Sequence, residues 1–225
     1  MTIVKTCGKL YWAGEYAILE PGQLALIKAI PIYMTAEIES SEVYRLYSDM
    51  FTYSVDMRPD SSYALIQETV ALVEEYLTSQ GVDLQPFSID IRGKMEREGK
   101  KFGLGSSGSV VVLVIKAMLA FYERPVERDL LFKLASAVLL KRGDNGSMGD
   151  IACIVSEDLV LYQSFDREKV AEWLEKEDLP TVLARDWGFS IRSVEPVLDF
   201  DFLVGWTKEV AVSSHMVKQI KNNMN

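Results

Sequence analysis

The chain has 225 residues, 48% hydrophobic and 25% charged, with a formal net charge of −9. That length allows a sizeable core in one large domain or one and a half, and the acidic balance argues against a nucleic-acid binder, which carries a basic surplus. The longest apolar run is far short of a membrane span, no signal or transit pattern opens the chain, and Cys7 and Cys153 give neither metal spacing nor a disulfide framework, so a reduced, soluble, cytoplasmic protein is expected.

Residues 3–14 read as a strand broken by glycines, continued over 15–19 toward a turn at Pro21-Gly22. Strands rich in β-branched and aromatic residues are predicted over 32–38 and 44–47. From Ser62 the period becomes helical, with Leu65, Ile66, Val70, Val73 and Leu77 apolar and Gly81 as the stop. Residues 86–91 alternate as a half-buried strand. The valine-rich stretch 109–122 is long and free of breakers, which favours a buried helix over a strand, and 128–141 is a second buried helix. Residues 143–150 are too rich in Gly, Asp and Asn to be anything but a loop. Strands are expected over 151–155 and 159–165, surface helices over 166–186, strands over 189–194 and 200–207, and a last helix from Ser213. The elements do not alternate strictly, which indicates α+β.

The chain is organised around Lys101-Phe-Gly-Leu-Gly-Ser-Ser-Gly-Ser-Val110, which follows a charged run containing Lys94, Arg97, Lys100 and Lys101. Glycines free the backbone to turn its N–H groups toward one point, serines suit a helix start, and a helix beginning here aims unpaired amides and its positive dipole end at an anion. The spacing of Gly103, Gly105 and Gly108 fits G-x-G-x-x-G, yet no buried strand leads directly into it, so a dinucleotide site is discounted. A protein kinase is excluded by the absence of H-R-D and D-F-G. A Walker loop is excluded because Ser109 and Val110 follow the last glycine. A phosphate cradle and a plain glycine-rich turn both remain open from the loop alone.

Three stretches in order carry a family resemblance: Lys9-Leu-Tyr-Trp-Ala-Gly-Glu-Tyr-Ala-Ile-Leu19, Gly103-Leu-Gly-Ser-Ser-Gly-Ser109 and Asn145-Gly-Ser-Met-Gly-Asp150. Together they resemble the motifs of the GHMP small-molecule kinases, and the form with Lys141-Arg-Gly-Asp-Asn-Gly146 is most similar to the bacterial members acting on phosphomevalonate. The resemblance implies an N-terminal α/β domain like ribosomal protein S5 domain 2 over residues 1–187. It places only the start of a C-terminal α+β domain over 188–225. It implies transfer of the ATP γ-phosphoryl group, with magnesium, to the phosphate of (R)-5-phosphomevalonate. In these terms Gly103, Leu104, Gly105, Ser106, Ser107, Gly108 and Ser109 wrap the ATP phosphates with Lys101, and Ser106 or Ser107 lies near magnesium. Asp150 faces the acceptor phosphate and Lys9 stabilises charge there. Lys9, Lys101, Ser147, Asp150 and Ser213 hold the phosphomevalonate.

Each residue also has a plainer reading. Lys9 could snorkel from an apolar strand, Asp144 could be a turn former, Ser213 an N-cap, and Tyr11 and Trp12 part of the core. The sequence departs from the family twice. Many members place a magnesium-binding glutamate ahead of the aspartate loop, and that place falls near Leu139, which has no carboxylate. The family's third, glycine-rich motif is not found after Ser214, so a truncated form is expected, with apolar surface uncovered over 200–206. The competing functions are another GHMP kinase, such as one acting on the alcohol mevalonate, and a non-catalytic ATP-binding module.

Overall fold

A long antiparallel strand pair sets the architecture. β1 (Thr2–Ala13) runs beside β2 (Leu24–Ser40), from Thr2 opposite Ile38 to Ala13 opposite Leu26. In β2, buried Met34, Ala36 and Ile38 alternate with exposed Thr35, Glu37 and Glu39, as in a strand with one wet face. β2 begins eight residues earlier than the predicted 32. Its register against β1 shifts between Tyr33, opposite Cys7, and Ile30, opposite Gly8, so Pro31 and Ile32 stand in a bulge. A proline costs no ladder hydrogen bond there. The strand expected over 15–19 is instead a short 3-10 turn, Ala17–Leu19.

The structure, a computed structural model, describes residues 1–93, 95–97, 100–197 and 201–207, with backbone alone at 97, 100 and 101. β3 (Arg45–Ser48) and β4 (Ser54–Val55) form an antiparallel pair, and α1 (Ala64–Ser79) ends just before Gly81, as its sequence period required. β5 (Phe87–Arg92) lies antiparallel to Thr35–Ser40 of β2 and parallel to β3. β6 (Glu96–Arg97) and β7 (Lys100–Lys101) make a small hairpin where the sequence read as a charged loop. Next come α2 (Ser106–Phe121) and α3 (Arg128–Lys141).

Residues 151–155, predicted as a strand, belong instead to α4 (Gly149–Ser156). Ile151, Ala152, Cys153 and Ile154 are all buried, and a short, fully buried apolar run has no periodicity to separate strand from helix. β8 (Leu159–Gln163) pairs with Leu24–Lys28 of β2. α5 (Arg167–Lys176) and α6 (Leu179–Ala184) follow, capped by Asp166 and Asp178, which accept from the Lys169 and Thr181 amides. β9 (Ser190–Ser193) adds to the edge of β8.

The seven-stranded sheet has the order β4-β3-β5-β2-β8-β9, with β1 on the opposite edge of β2, so β5 and β8 share one edge of β2 at its two ends. α2 packs on β1 and β2, flanked by α1 and α3, while α4 packs on β1, β2 and β8. The mixed α and β composition of the sequence reading is realised as one sheet with its helices. Val111 to Ile115 of α2 are fully buried, which is why the valine run is a helix: apolar on all sides, it sits at the centre of the core. Each such side chain contributes about 1.5–3 kcal/mol, so the start of α2 is anchored by the whole core.

Over 201–207 the predicted strand is not formed. Phe202 and Trp206 rest against Trp12 and Phe102, each with ring centroids 5.0 Å apart, while Leu203 is 90% exposed. The predicted helix from Ser213 lies outside the described residues. Among the described residues no helix is long and apolar enough to cross a membrane.

Candidate functional site

The loop ahead of α2 is stitched to β1. The Lys9 amide donates to the Leu104 carbonyl at 3.0 Å, the Thr6 hydroxyl donates to the Ser109 carbonyl at 3.1 Å, and the Ser109 hydroxyl donates to the Cys7 carbonyl at 2.9 Å. Ser109 is thus turned inward, its hydroxyl holding the strand, whereas Ser106 and Ser107 open the helix at the surface. Gly105 is the N-cap, with φ +79, a left-handed backbone that only glycine adopts without strain. No side chain caps α2. The first-turn amides of Ser106, Ser107 and Gly108, together with the helix dipole, suit an anion there.

Lys9 and Asp150 meet at this helix start. A Cβ built on Gly105 would stand 2.9 Å from Lys9 Cε and 3.6 Å from Asp150 Cβ, and one built on Gly108 would stand 2.9 Å from Asp150 Oδ2. Both glycines permit this close approach, which brings a cation and a carboxylate onto the floor of the phosphate loop. Asp150 lies in the first turn of α4, its Oδ1 accepting from the Ile151 amide at 3.0 Å. Asp150 keeps some surface accessibility, but protein surrounds it closely enough that burial raises its pKa above the ordinary carboxylate value. The Lys9 ammonium and the Ile151 N–H pull it back, and Asp144 pushes it further up.

Ser147 is gripped from three directions. Its Oγ shares a 2.9 Å hydrogen bond with the Tyr11 hydroxyl and accepts from the Gly149 amide at 3.3 Å, and its carbonyl accepts from the Tyr162 hydroxyl at 3.0 Å. Met148, next in the chain, has φ +62. A non-glycine residue there costs about 1–2 kcal/mol and is held by the surrounding structure. Asp144 serves the turn, accepting from the Gly146 amide at 2.6 Å.

The structure therefore brings together Lys9, Gly105, Gly108 and Asp150, with Ser147 two residues before Gly149. Gly103 and Leu104 form the approach to the loop, Gly103 exposed and Leu104 packed beside Gly8. Lys101 is placed by its backbone alone, in β7, and Ser213 lies outside the described residues. Leu139, where a family carboxylate was missed, is a buried residue of α3. No cluster of three or more His, Cys, Asp or Glu occurs among the described residues. Magnesium characteristically takes few protein oxygens and fills the rest of its shell from phosphates and water, and the Ser106 or Ser107 hydroxyl at the start of α2 fits that sparse donor set.

Sequence reasoning read Tyr11 as part of the core and did not single out Tyr162. The available signal was Tyr11's position two residues after Lys9, which puts both on one face of β1; the Lys9 ammonium lies 5.1 Å from the Tyr11 ring centre.

The family described as GHMP kinases N terminal domain matches residues 64–158. A phosphomevalonate kinase from Streptomyces sp. (strain CL190) is 27% identical, the alignment covering 97% of this chain and 65% of the relative. The solved structure of Streptococcus pneumoniae phosphomevalonate kinase in complex with phosphomevalonate and AMPPNP is 74% identical with a TM-score of 0.98, covering 100% of this chain and 68% of the other. The mevalonate kinase structure from Methanococcus jannaschii, 22% identical over 72% of this chain and 53% of the other, has a TM-score of 0.61 and shares the fold. This chain thus spans about two thirds of its phosphomevalonate kinase relatives.

Proposed function

This chain belongs to the GHMP kinase family, and we propose that its site transfers the γ-phosphoryl group of ATP to the phosphate of (R)-5-phosphomevalonate, giving a diphosphate. The observation that carries this reading is the convergence of Lys9 and Asp150 on Gly105 and Gly108 at the start of α2. An anion-binding helix start alone suits many ligands. A lysine and a carboxylate packed onto that helix start fit a reaction in which a second anion is brought against the first.

Phosphoryl transfer rests on positioning and charge neutralisation more than on covalent help. The amides of Ser106, Ser107 and Gly108 receive the ATP phosphates, and Lys9 offsets the repulsion as the acceptor phosphate approaches. The acceptor is largely ionised at neutral pH, its second pKa being near 6, so Asp150 has little proton to remove. Its role is to orient Lys9 and the acceptor. Ser106 or Ser107 would hold magnesium together with the ATP phosphates, and the ion would supply charge neutralisation for the transfer. Lys101, Ser147 and Ser213 are assigned to the acceptor on the family pattern, and the nucleotide-binding part is assigned to residues 1–187 with a second domain beginning at 188. A cytoplasmic location accords with Cys7 and Cys153, both free and buried.

A coupled ADP-release assay with phosphomevalonate, mevalonate or no acceptor tests the reading, run on this chain and on one carried to the full length of its relatives. ADP formation that requires phosphomevalonate supports it. Equal rates with mevalonate point to the alcohol-phosphorylating branch, and nucleotide binding without any acceptor-dependent ADP points to a binding module.

A further inference from the structure

We propose that Tyr11 is a positioning residue that fixes Ser147 as a hydrogen-bond donor toward the acceptor phosphate. The proposal deepens the phosphomevalonate reading and rests on it.

The argument is a count of protons. The Tyr11 hydroxyl is wedged beside Gly149, where an added Cβ would fall on the hydroxyl itself and within 2.8 Å of Ile27 Cδ1. Tyr11 is half-buried as a residue, but protein closes around its hydroxyl; a proton so enclosed needs an acceptor, and among the described residues its partner is Ser147 Oγ at 2.9 Å. Burial and the nearby Asp150 charge both favour the neutral phenol, so the proton stays on Tyr11. Tyr11 therefore donates and Ser147 accepts. The second Ser147 lone pair takes the Gly149 amide at 3.3 Å. A serine hydroxyl has two lone pairs and one proton. With both lone pairs engaged, Ser147 meets any incoming group with its proton only.

The Ser147 backbone is fixed too. Tyr162 donates to its carbonyl at 3.0 Å from β8, while Tyr11 holds the side-chain Oγ from β1. Met148 beside it holds a left-handed backbone, the kind of local strain kept where surrounding contacts over-determine a site. Asp150 follows two residues later, so the same tyrosine that sets the serine proton braces the turn leading into α4. A group restricted to donating suits a phosphate dianion, which brings acceptor oxygens and no proton. It gains less from an alcohol, because hydrogen bonds to charged groups are the stronger kind.

The test is calorimetric titration of the chain, with AMPPNP present, by phosphomevalonate and by mevalonate. Tyr11→Phe keeps the ring and removes the proton. It should weaken phosphomevalonate binding about tenfold, equivalent to about 1.4 kcal/mol, with mevalonate and AMPPNP affinities unchanged. Ser147→Ala should show the same selective loss, and the double variant no further loss. A shape-conserving variant with 3-fluorotyrosine at position 11, a stronger proton donor, should bind phosphomevalonate more tightly, and this decides the matter if Tyr11→Phe folds poorly. Unchanged affinity in Tyr11→Phe, or equal weakening for all three ligands, overturns the proposal while leaving the phosphomevalonate reading intact. A wild-type chain that binds AMPPNP but not phosphomevalonate overturns both.

Discussion

Replacing Gly108 with alanine separates stability from chemistry at this site. Gly108 lies in the first turn of α2 with no positive φ, so alanine is compatible with the backbone, and the helix gains about 0.5–1 kcal/mol from the change. Against this, the new methyl would stand 2.9 Å from Asp150 Oδ2 and 3.0 Å from Ile151 Cδ1. Both are the far ends of side chains, which can rotate aside at about 0.5–1.5 kcal/mol each. The sum leaves stability within about 2.5 kcal/mol of wild type, a melting shift of about 10 °C at most for a chain of this size. The carboxylate, however, must leave its place on the loop floor, and a displacement of about 1 Å at a reacting centre costs about 100-fold in rate. Thermal denaturation followed by circular dichroism, beside the coupled ADP assay, reads both numbers. Turnover within a factor of two of wild type, or a loss of folding above about 4 kcal/mol, refutes the close packing of Gly108 on Asp150.

Other substitutions probe the remaining contacts. Gly105→Ala should destabilise by about 1–3 kcal/mol in chemical denaturation, because it combines left-handed backbone strain with a methyl 2.9 Å from Lys9 Cε. Thr6→Val keeps the shape but leaves the buried Ser109 carbonyl without its side-chain donor; the expected cost is about 1–2 kcal/mol, with the melting point as readout. Asp150→Asn should melt higher than wild type at pH 7 while losing about 10- to 100-fold in turnover. The folded carboxyl titrates above its ordinary value, chiefly through burial, so the native state holds the proton more tightly and loses stability as pH rises through the folded pKa. The melting advantage of Asp150→Asn should therefore close as pH falls toward the ordinary carboxylate range; an advantage constant with pH contradicts the assignment.

The helices that position the site were legible wherever burial is one-sided or continuous over many residues. α3 coincides with its predicted 128–141, and α1 and α2 begin and end within three residues of expectation. The glycine loop, Lys9 and Asp150 were identified individually, and their meeting was implied by the family resemblance before the close approaches at Gly105 and Gly108 displayed it. Two misreadings had local causes. Pro31 hid the first half of β2 because a proline reads as a strand breaker, and only the bulge opposite Cys7 and Gly8 accommodates it. The run from Ile151 to Val155 read as a strand because a short buried apolar run has no polar face to betray its period. That second case matters for the site, since it puts Asp150 in the first turn of a helix, where a carboxylate favours the positive dipole end. Tyr11 and Ser147 are 136 residues apart and joined by one hydrogen bond, a pairing that no local pattern announces.

Phosphorus NMR of phosphomevalonate incubated with ATP, magnesium and the protein tests the central claim most directly: one site, formed by the start of α2, Lys9 and Asp150, joins two phosphates. The account predicts a new pair of coupled diphosphate resonances growing in step with ADP, and their loss in Lys9→Met with nucleotide affinity retained. Conversion of ATP to ADP and inorganic phosphate without a new diphosphate, or unchanged diphosphate formation in Lys9→Met, contradicts it.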